Sequence, residues 1–101
     1  MYKRQLQSIY STEDTLALEP FAEKWKAFGW NVIEIDGHNH EEILEACRAE
    51  SKVINKPLCV IASTVKGKNV SFMEDNILWH YRSPQGAEYQ AALAELESKN
   101  A

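Results

Sequence analysis

The sequence predicts an α/β protein in which a leading helix precedes a βαβ unit of a parallel sheet with flanking helices. Three observations support this class. Apolar residues recur at helical spacing in residues 18–28, a β-branched segment follows at residues 30–36, and a second helical segment leads into a continuous apolar run at residues 58–62. The 101 residues are 45% hydrophobic and 26% charged, a composition typical of one small globular domain.

The first helix is predicted from apolar residues that share one helical face: Leu18, Phe21, Ala22, Trp25 and Phe28. Pro20 suits the first turn of this helix, and Gly29 is expected to end it. Residues 30–36 are predicted to form a strand because they are rich in β-branched side chains. We expect the aromatic side chains of this region to pack in the core: Trp25, Phe28 and Trp30.

The second helix is predicted over residues 40–55. Asn39, with Glu42 three residues later, resembles the N-cap and N3 positions of a capping box. Lys56-Pro57 ends the helix, and the apolar run that follows is typical of a strand covered on both faces, as in a parallel sheet. The side of the helix that is expected to be buried carries Ile43, Leu44, Cys47 and Ile54.

A last helix is predicted over residues 85–98. Its apolar face is weak, because alanines supply most of it. The residues expected on that face are Ala87, Ala91, Leu93, Ala94 and Leu96.

The segment between the second strand and the last helix, residues 64–84, has no clear period. A loop of about 20 residues is unusual in a compact domain unless it is functional. It also begins at the carboxyl end of a predicted parallel strand, where α/β sheets bind their ligands. Its cations and its imidazole suit a phosphate-bearing anion: Lys66, Lys68, His80 and Arg82.

Each candidate group also has a simpler interpretation. Lys66-Gly67-Lys68 either approaches a diphosphate or forms a solvated basic turn, and it lacks the glycine and hydroxyl spacing of a P-loop. His38 and His40 are either a metal pair or part of a loop that ends at a helix cap, since a third ligand at convincing spacing is missing. His80 either serves in acid/base chemistry or is a hydrogen-bonded loop histidine.

Composition excludes several classes of protein. A net charge of −4 without a basic block argues against nucleic-acid binding. Apolar runs fall short of the roughly 18 residues that a membrane span needs, and the N-terminus lacks the apolar core of a secretory signal. Cys47 and Cys59 cannot build a disulfide framework, so we expect both to behave as small hydrophobes in a reduced, cytoplasmic setting.

The sequence resembles the thiamine-diphosphate-binding domain of the transketolase family. The likeness runs from about Leu6 to Leu96, with several motifs in the family's order, which is more specific than a lone glycine pattern. It is most similar to the C-terminal third of that N-terminal domain or subunit. The matching stretches include residues 18–30 and then Asp36-Gly37-His38-Asn39, Lys56-Pro57, Thr64-Val65-Lys66-Gly67-Lys68 and Trp79-His80.

The resemblance implies transfer of a two-carbon ketol unit between phosphosugars, with thiamine diphosphate held by Mg²⁺ or Ca²⁺. It places His80 near the diphosphate and the substrate, as the catalytic residue. It places Lys66 over the cofactor and Val65 in apolar contact with it. Leu6 falls where a main-chain carbonyl completes the metal's coordination. The partner is expected to be a second copy in a homodimer, or a C-terminal transketolase subunit in a heterotetramer.

Four departures from the family pattern stand out. Tyr81 and Asn69 replace family glycines, although asparagine tolerates the left-handed backbone that the second position needs. The family's Gly-Asp-Gly metal motif is expected upstream of this sequence, and its asparagine ligand falls at Arg4, which cannot coordinate a cation.

Residues 1–5 reverse-translate to GTG-TAT-AAG-AGA-CAG, a transposon end used in sequencing libraries. We therefore expect residues 1–5 to be adapter-derived and residues 6–101 to be the domain segment.

Two other functions fit the same residues. A binding or assembly module could retain these elements without catalysis, and an upstream Gly-Asp-Gly motif would argue against it. A related thiamine enzyme, such as 1-deoxyxylulose-phosphate synthase, shares the domain. The Ser71-Phe72-Met73-Glu74 and Trp79-His80 motifs favour transketolase over that enzyme.

Overall fold

The computed structural model describes residues 2–3, 6–7, 10–48 and 55–100. The predicted order of helix, strand, helix, strand, loop and helix is confirmed, and the fold is α/β. In chain order the elements are β1 (Tyr2–Lys3), β2 (Leu6–Gln7), β3 (Tyr10–Ser11), α1 (Thr12–Thr15), α2 (Phe21–Ala27), β4 (Asn31–Asp36), α3 (His40–Arg48), β5 (Leu58–Ser63), a 3₁₀ helix (Ile77–His80) and α4 (Ala87–Asn100).

The main sheet has three parallel strands in the order β1-β5-β4. β4 and β5 pair along their whole length, from Asn31 opposite Leu58 to Asp36 opposite Ser63. β1 lies on the other edge of β5, opposite residues 62–63, and β2 with β3 forms a separate antiparallel pair. Because β4 and β5 run parallel and in register, both of their carboxyl ends lie at one edge of the sheet.

Helix α2 ends as the sequence predicts, at Gly29. This residue has a φ of +86°, which a side chain would disfavour. The Gly29 N–H donates to the Lys26 carbonyl at 2.9 Å, and the Trp30 N–H donates to the Trp25 carbonyl at 3.2 Å. These two bonds define a Schellman motif, and the Trp25 and Trp30 rings pack edge to face at 4.9 Å across it.

The core lies between α2 and one face of the sheet. Phe21 and Ala22 pack there against Cys59 and Ile61, and Ile61 is completely buried. The partly buried residues around this cluster are Leu18, Trp25, Trp30 and Val32. The prediction that Phe28 belongs to this core is wrong, since it is 81% exposed. Phe28 caps the end of α2, where its N–H donates to the Lys24 carbonyl at 3.2 Å, and its side chain lies outside the core cluster.

Helix α3 begins at the predicted cap. The Asn39 side-chain oxygen accepts from the N–H groups of Glu41 at 3.0 Å and Glu42 at 3.3 Å. The Glu42 carboxylate does not return to the Asn39 N–H as in a capping box. Instead it accepts from the Asp36 N–H at 2.7 Å and from the Asn39 side-chain amide at 3.0 Å. The helix start is thereby tied to the end of β4.

The buried side of α3 differs from the prediction. Ala46 is buried, whereas Leu44 is 48% exposed and Cys47 is exposed. The most buried residue of α3 is therefore a small one, which a pattern of large apolar residues does not indicate. The predicted helical residues 49–54, including Ile54, lie outside the described residues.

The second face of β5 is only partly covered. Cys59 and Ile61 are buried on the α2 side, while Leu58, Val60 and Ala62 remain half-buried on the opposite side. The predicted coverage on both faces is therefore complete on one face only. The described residues contain no helix long and apolar enough to cross a membrane.

Helix α4 packs through residues that the apolar pattern does not predict. Ala92 is buried, with Glu88 and Glu95 half-buried at helical spacing on the same side. The residues that were predicted to be apolar contacts are instead exposed: Ala87, Ala91, Leu93, Ala94 and Leu96. Both inward carboxylates have polar partners in residues 64–84, which explains why this side of the helix is not apolar.

Candidate functional site

Two loops meet at the carboxyl edge of the parallel sheet, residues 37–39 after β4 and residues 64–76 after β5. The Gly37 N–H donates to the Ser63 carbonyl at 2.8 Å. A Cβ atom on Gly37 would lie 2.5 Å from the Thr64 methyl and 2.9 Å from the Ser63 carbonyl oxygen. Only glycine therefore fits at this crossing, and the two loops are held in close contact.

A side-chain hydrogen bond also joins the two loops. The Val65 N–H donates to Nε2 of His38 at 2.8 Å, across 27 positions of sequence. The backbone of His38 is fixed in turn, because its N–H donates to the Asp36 carboxylate at 2.9 Å. Since Nε2 accepts in this bond, the proton of the neutral ring resides on Nδ1.

Val65 and Lys66, two of the predicted cofactor-binding residues, follow β5 after one intervening residue and are half-buried. The Lys66 carbonyl accepts from the Asp75 N–H at 2.9 Å, which closes the loop on itself. Among the described residues, the Lys66 ammonium has no hydrogen-bond or ion-pair partner. Its charge is therefore available to an anion at this edge of the sheet.

The turn that follows needs left-handed backbone at two positions. Gly67 has a φ of +70° and Asn69 a φ of 74°, so the prediction that asparagine preserves this turn is confirmed. The Asn69 N–H donates to the Glu74 carboxylate at 2.9 Å. A Cβ on Gly67 would lie 2.5 Å from the Met73 carbonyl oxygen. Gly67 thus makes room for the chain's own backbone rather than for a ligand.

His80, the predicted catalytic residue, ends the 3₁₀ helix and is exposed. Its ring contacts Tyr81 edge to face at 4.4 Å. The neighbouring Trp79 is buried; its indole N–H donates to the Phe72 carbonyl at 3.0 Å, and the two rings lie 5.2 Å apart. Trp79 therefore anchors a segment from which His80 projects into solvent.

Tyr81, at a position where the resemblance predicts a glycine, shows no backbone strain. Its φ of −116° is accessible to any residue. Its side chain is 87% exposed, so its bulk displaces nothing in the described residues. The tyrosine therefore adds an exposed ring to the surface beside His80 and needs no unusual backbone conformation.

Arg82 is engaged within the chain, in contrast to Lys66. Its guanidinium lies 5.1 Å from the centre of the Trp79 ring and donates to Glu88 Oε1 at 2.5 Å. The other carboxylate oxygen of Glu88, Oε2, is buried without a hydrogen-bond partner among the described residues. Arg82 thus holds the loop against α4 and is less available to an anion.

A second carboxylate on α4 holds the loop further along. Glu95 accepts from the Ser71 N–H at 2.6 Å and from the Ser71 hydroxyl at 2.7 Å. These hydrogen bonds hold the pKa of the Glu95 carboxyl below its usual value, because they favour the charged form. The Lys99 ammonium adds a bond to the Asn69 carbonyl at 3.2 Å.

The described residues do not form a metal site by themselves. They contain no group of three or more histidine, cysteine, aspartate or glutamate side chains that could hold an ion. Leu6 lies in β2, opposite Ser11, and could offer only a main-chain oxygen. A divalent cation would therefore need ligands from outside the described part of the chain.

The structure joins only some of the predicted site residues. Val65 and Lys66 share the carboxyl edge of the sheet, whereas no hydrogen bond or ring contact between described residues links either of them to His80. Two surface clefts lie elsewhere. One lies between β4 and α3 beside Ala46, and the other between the 3₁₀ helix and α4 beside Trp79. Val65, Lys66 and His80 line neither of these two clefts.

His38 is the contact residue that the sequence prediction missed. The sequence allowed either a metal pair or a simple loop at this position, and the structure uses the ring as a hydrogen-bond acceptor. A signal was present in the predicted topology. Parallel strands joined by a helix place the residues after both strands at one edge of the sheet, so His38 and Val65 were candidates for contact.

Comparison with known proteins shows which family this chain resembles. A family model described as "Transketolase, thiamine diphosphate binding domain" matches residues 1–95. The chain is 35% identical to one of the subunits of the apulose-4-phosphate transketolase of Phocaeicola vulgatus over 97 residues, which are 96% of this chain and 34% of that protein. It is 40% identical to 6-deoxy-6-sulfo-D-fructose transketolase subunit SqwG of a Clostridium species over 90 residues, which are 89% of this chain and 33% of that protein.

Human transketolase is 35% identical over 63 residues, which are 62% of this chain and 10% of that protein. The chain therefore spans about a third of the length of the two bacterial subunits.

Proposed function

Because the chain belongs to the transketolase family, whose thiamine-diphosphate-binding domain it matches over residues 1–95, we propose that the intact protein transfers a two-carbon ketol unit between phosphosugars. The match that covers 96% of this chain in a transketolase subunit is the observation that carries the proposal. We further propose that residues 6–101 are the C-terminal part of that domain.

Thiamine diphosphate, when bound, supplies the electron sink that ketol transfer requires. We propose that Lys66 faces its diphosphate, because this ammonium has no partner among the described residues and lies at the carboxyl edge of the sheet. Val65 contributes apolar contact beside it. His80 moves protons at the reacting centre, and its exposed position on a well-anchored segment suits that role.

The described residues suit the diphosphate of the cofactor, through Lys66, but do not provide a set of side-chain ligands for its metal ion. We propose that Mg²⁺, or Ca²⁺ in its place, is held by ligands upstream of this sequence, with the Leu6 carbonyl completing the set. The substrate class is a phosphosugar, and the relatives' names support an anionic sugar. One is named for apulose 4-phosphate and another for a sulfo-fructose.

We propose that the intact protein acts in the cytoplasm, in pentose phosphate metabolism, as a homodimer or as a heterotetramer with a C-terminal transketolase subunit. The names of the bacterial relatives, which are subunits, support the second arrangement.

We also propose that residues 1–5 derive from a sequencing adapter, and the DNA sequence of the genomic locus tests this. Finding these codons in the chromosome behind a ribosome-binding site would refute it.

The catalytic proposal is tested with His80→Ala in the intact protein. We expect ketol transfer from a ketose phosphate to fall about 10²-fold or more, the size expected when a proton-transfer residue is lost. His40→Ala is the matched control, since His40 is an exposed histidine at the start of α3. Unchanged turnover in His80→Ala would remove this residue from the mechanism.

Two measurements on the unsubstituted intact protein, ketol transfer and thiamine diphosphate binding, separate the alternative functions. An unsubstituted intact protein that binds thiamine diphosphate but transfers no ketol unit would exclude transketolase and favour another thiamine enzyme. A protein that binds no cofactor would favour the assembly module.

A further inference from the structure

We propose that His38 is a positioning residue for the cofactor loop, defined here as residues 64–69, and that it acts through the hydrogen bond from the Val65 N–H to its Nε2. The proposal rests on the proposed function, because it takes Val65 and Lys66 to contact thiamine diphosphate. It concerns how tightly the cofactor is held and does not give His38 a part in the chemistry.

The bond occurs where the sheet stops supporting the chain. The β4–β5 pairing ends at Asp36 opposite Ser63, two residues before Val65. Beyond that pair one further backbone hydrogen bond joins the two segments, from the Gly37 N–H to the Ser63 carbonyl at 2.8 Å. The imidazole accepts the Val65 N–H at 2.8 Å and so extends the support of the sheet to the first residues of the cofactor loop.

The residue that provides this support is itself held rigidly. The His38 N–H donates to the Asp36 carboxylate at 2.9 Å, and the Asp36 N–H donates to the Glu42 carboxylate at 2.7 Å. Gly37 is in close contact with the backbone of β5 and leaves no room for a side chain. Because the His38 ring sits on so constrained a loop, it fixes the position of the Val65 backbone. The position of the Lys66 backbone is set in turn, since Lys66 is the next residue.

Loss of the acceptor should loosen the cofactor loop without removing any group that touches the reacting atoms. We expect His38→Ala to weaken thiamine diphosphate binding by about five- to tenfold, the effect of one net hydrogen bond. The turnover number at saturating cofactor should change less than twofold. A purely structural role would lower stability and leave the cofactor dissociation constant of the folded fraction unchanged.

The experiment uses the intact protein and four variants. His38→Ala and His38→Leu both remove the acceptor, and leucine preserves side-chain volume if alanine folds poorly. His38→Gln restores an acceptor, because a glutamine amide oxygen reaches about where Nε2 lies. His40→Ala is the control. Hydrogen exchange is measured in the peptide that contains Val65, and thiamine diphosphate affinity is measured by titration calorimetry with saturating Mg²⁺.

We expect faster exchange at Val65 and weaker cofactor binding in His38→Ala and His38→Leu, near-normal values in His38→Gln, and no change in His40→Ala. Unchanged exchange at Val65 after removal of the acceptor would overturn the inference. So would faster exchange with unaltered cofactor affinity. Failure of the proposed function is distinguishable, since it appears as absent ketol transfer or absent cofactor binding in the unsubstituted protein.

Discussion

Gly67 offers a sharp test of how the cofactor loop closes. The φ of Gly67 is +70°, and an added Cβ would lie 2.5 Å from the Met73 carbonyl oxygen and 2.7 Å from the Met73 carbonyl carbon. A positive φ alone costs a non-glycine residue about 1 kcal/mol. Displacement of packed backbone adds about 1–3 kcal/mol. We therefore expect Gly67→Ala to lower the free energy of unfolding of the intact protein by about 2–4 kcal/mol.

The chain provides a matched control at Gly29. This residue has a φ of +86°, and nothing lies within 4 Å of an added Cβ. Gly29→Ala should therefore show only the conformational cost, about 1 kcal/mol. Gly67→Asn separates the two contributions further, because asparagine tolerates positive φ, as Asn69 does at 74°, but still carries a Cβ.

The assay is urea unfolding followed by tryptophan fluorescence, which reports on the Trp25 and Trp30 pair in the core and on Trp79 in the loop. The expected ranking places Gly67→Ala lowest in stability, Gly67→Asn next and Gly29→Ala closest to the unsubstituted protein. Equal losses for the two alanine variants would refute the argument from the Met73 contact. Full stability in Gly67→Asn would refute it as well.

Further predictions address the core and the attachment of α4. Ile61→Ala removes a completely buried side chain and should cost about 3–4 kcal/mol, whereas Ile77→Ala, at 43% exposure, should cost less than about 1 kcal/mol in the same urea assay. Glu95 accepts two hydrogen bonds from Ser71, and these lower the pKa of its carboxyl from the ordinary value of 4.5. The contribution of Glu95 to stability is therefore complete above pH 4.5 and is lost as the pH falls through the lowered pKa. The melting temperatures of the unsubstituted protein and Glu95→Gln should therefore differ at pH 7 and converge in acid. Glu97→Gln, on the exposed side of α4, should show no such convergence, and a constant gap for Glu95→Gln would contradict the assignment.

The interior side of α4 shows why the apolar pattern mispredicted its packing. Glu88 and Glu95 face residues 64–84, where Arg82 donates to one oxygen of Glu88 and Ser71 donates to both oxygens of Glu95. A hydrophobicity pattern treats a glutamate as solvent-exposed, and only the partner's position can reverse that assignment. Phe28 shows the same limit of the pattern, since it keeps the helical bond to the Lys24 carbonyl and yet is exposed.

The order of elements and the parallel class of the sheet could be predicted from the sequence alone, because they depend on local properties. Helical spacing, β-branched residues, the Asn39 cap and the Gly29 stop act within a few residues of one another. The left-handed turn at Asn69 was also predictable for this reason. The family resemblance then indicated a cofactor loop at Val65 and Lys66, although it could not show which side chain supports that loop.

Only the tertiary structure decided which groups meet across the sheet edge. The parallel register of β4 and β5 brings His38 to Val65, although 27 positions of sequence separate them. The same register leaves glycine as the only residue that fits at position 37, against Thr64. Such contacts depend on the relative placement of two strands, which no local pattern encodes. The sequence therefore determined where the loop after β5 begins, and the pairing of the strands determined what holds it in place.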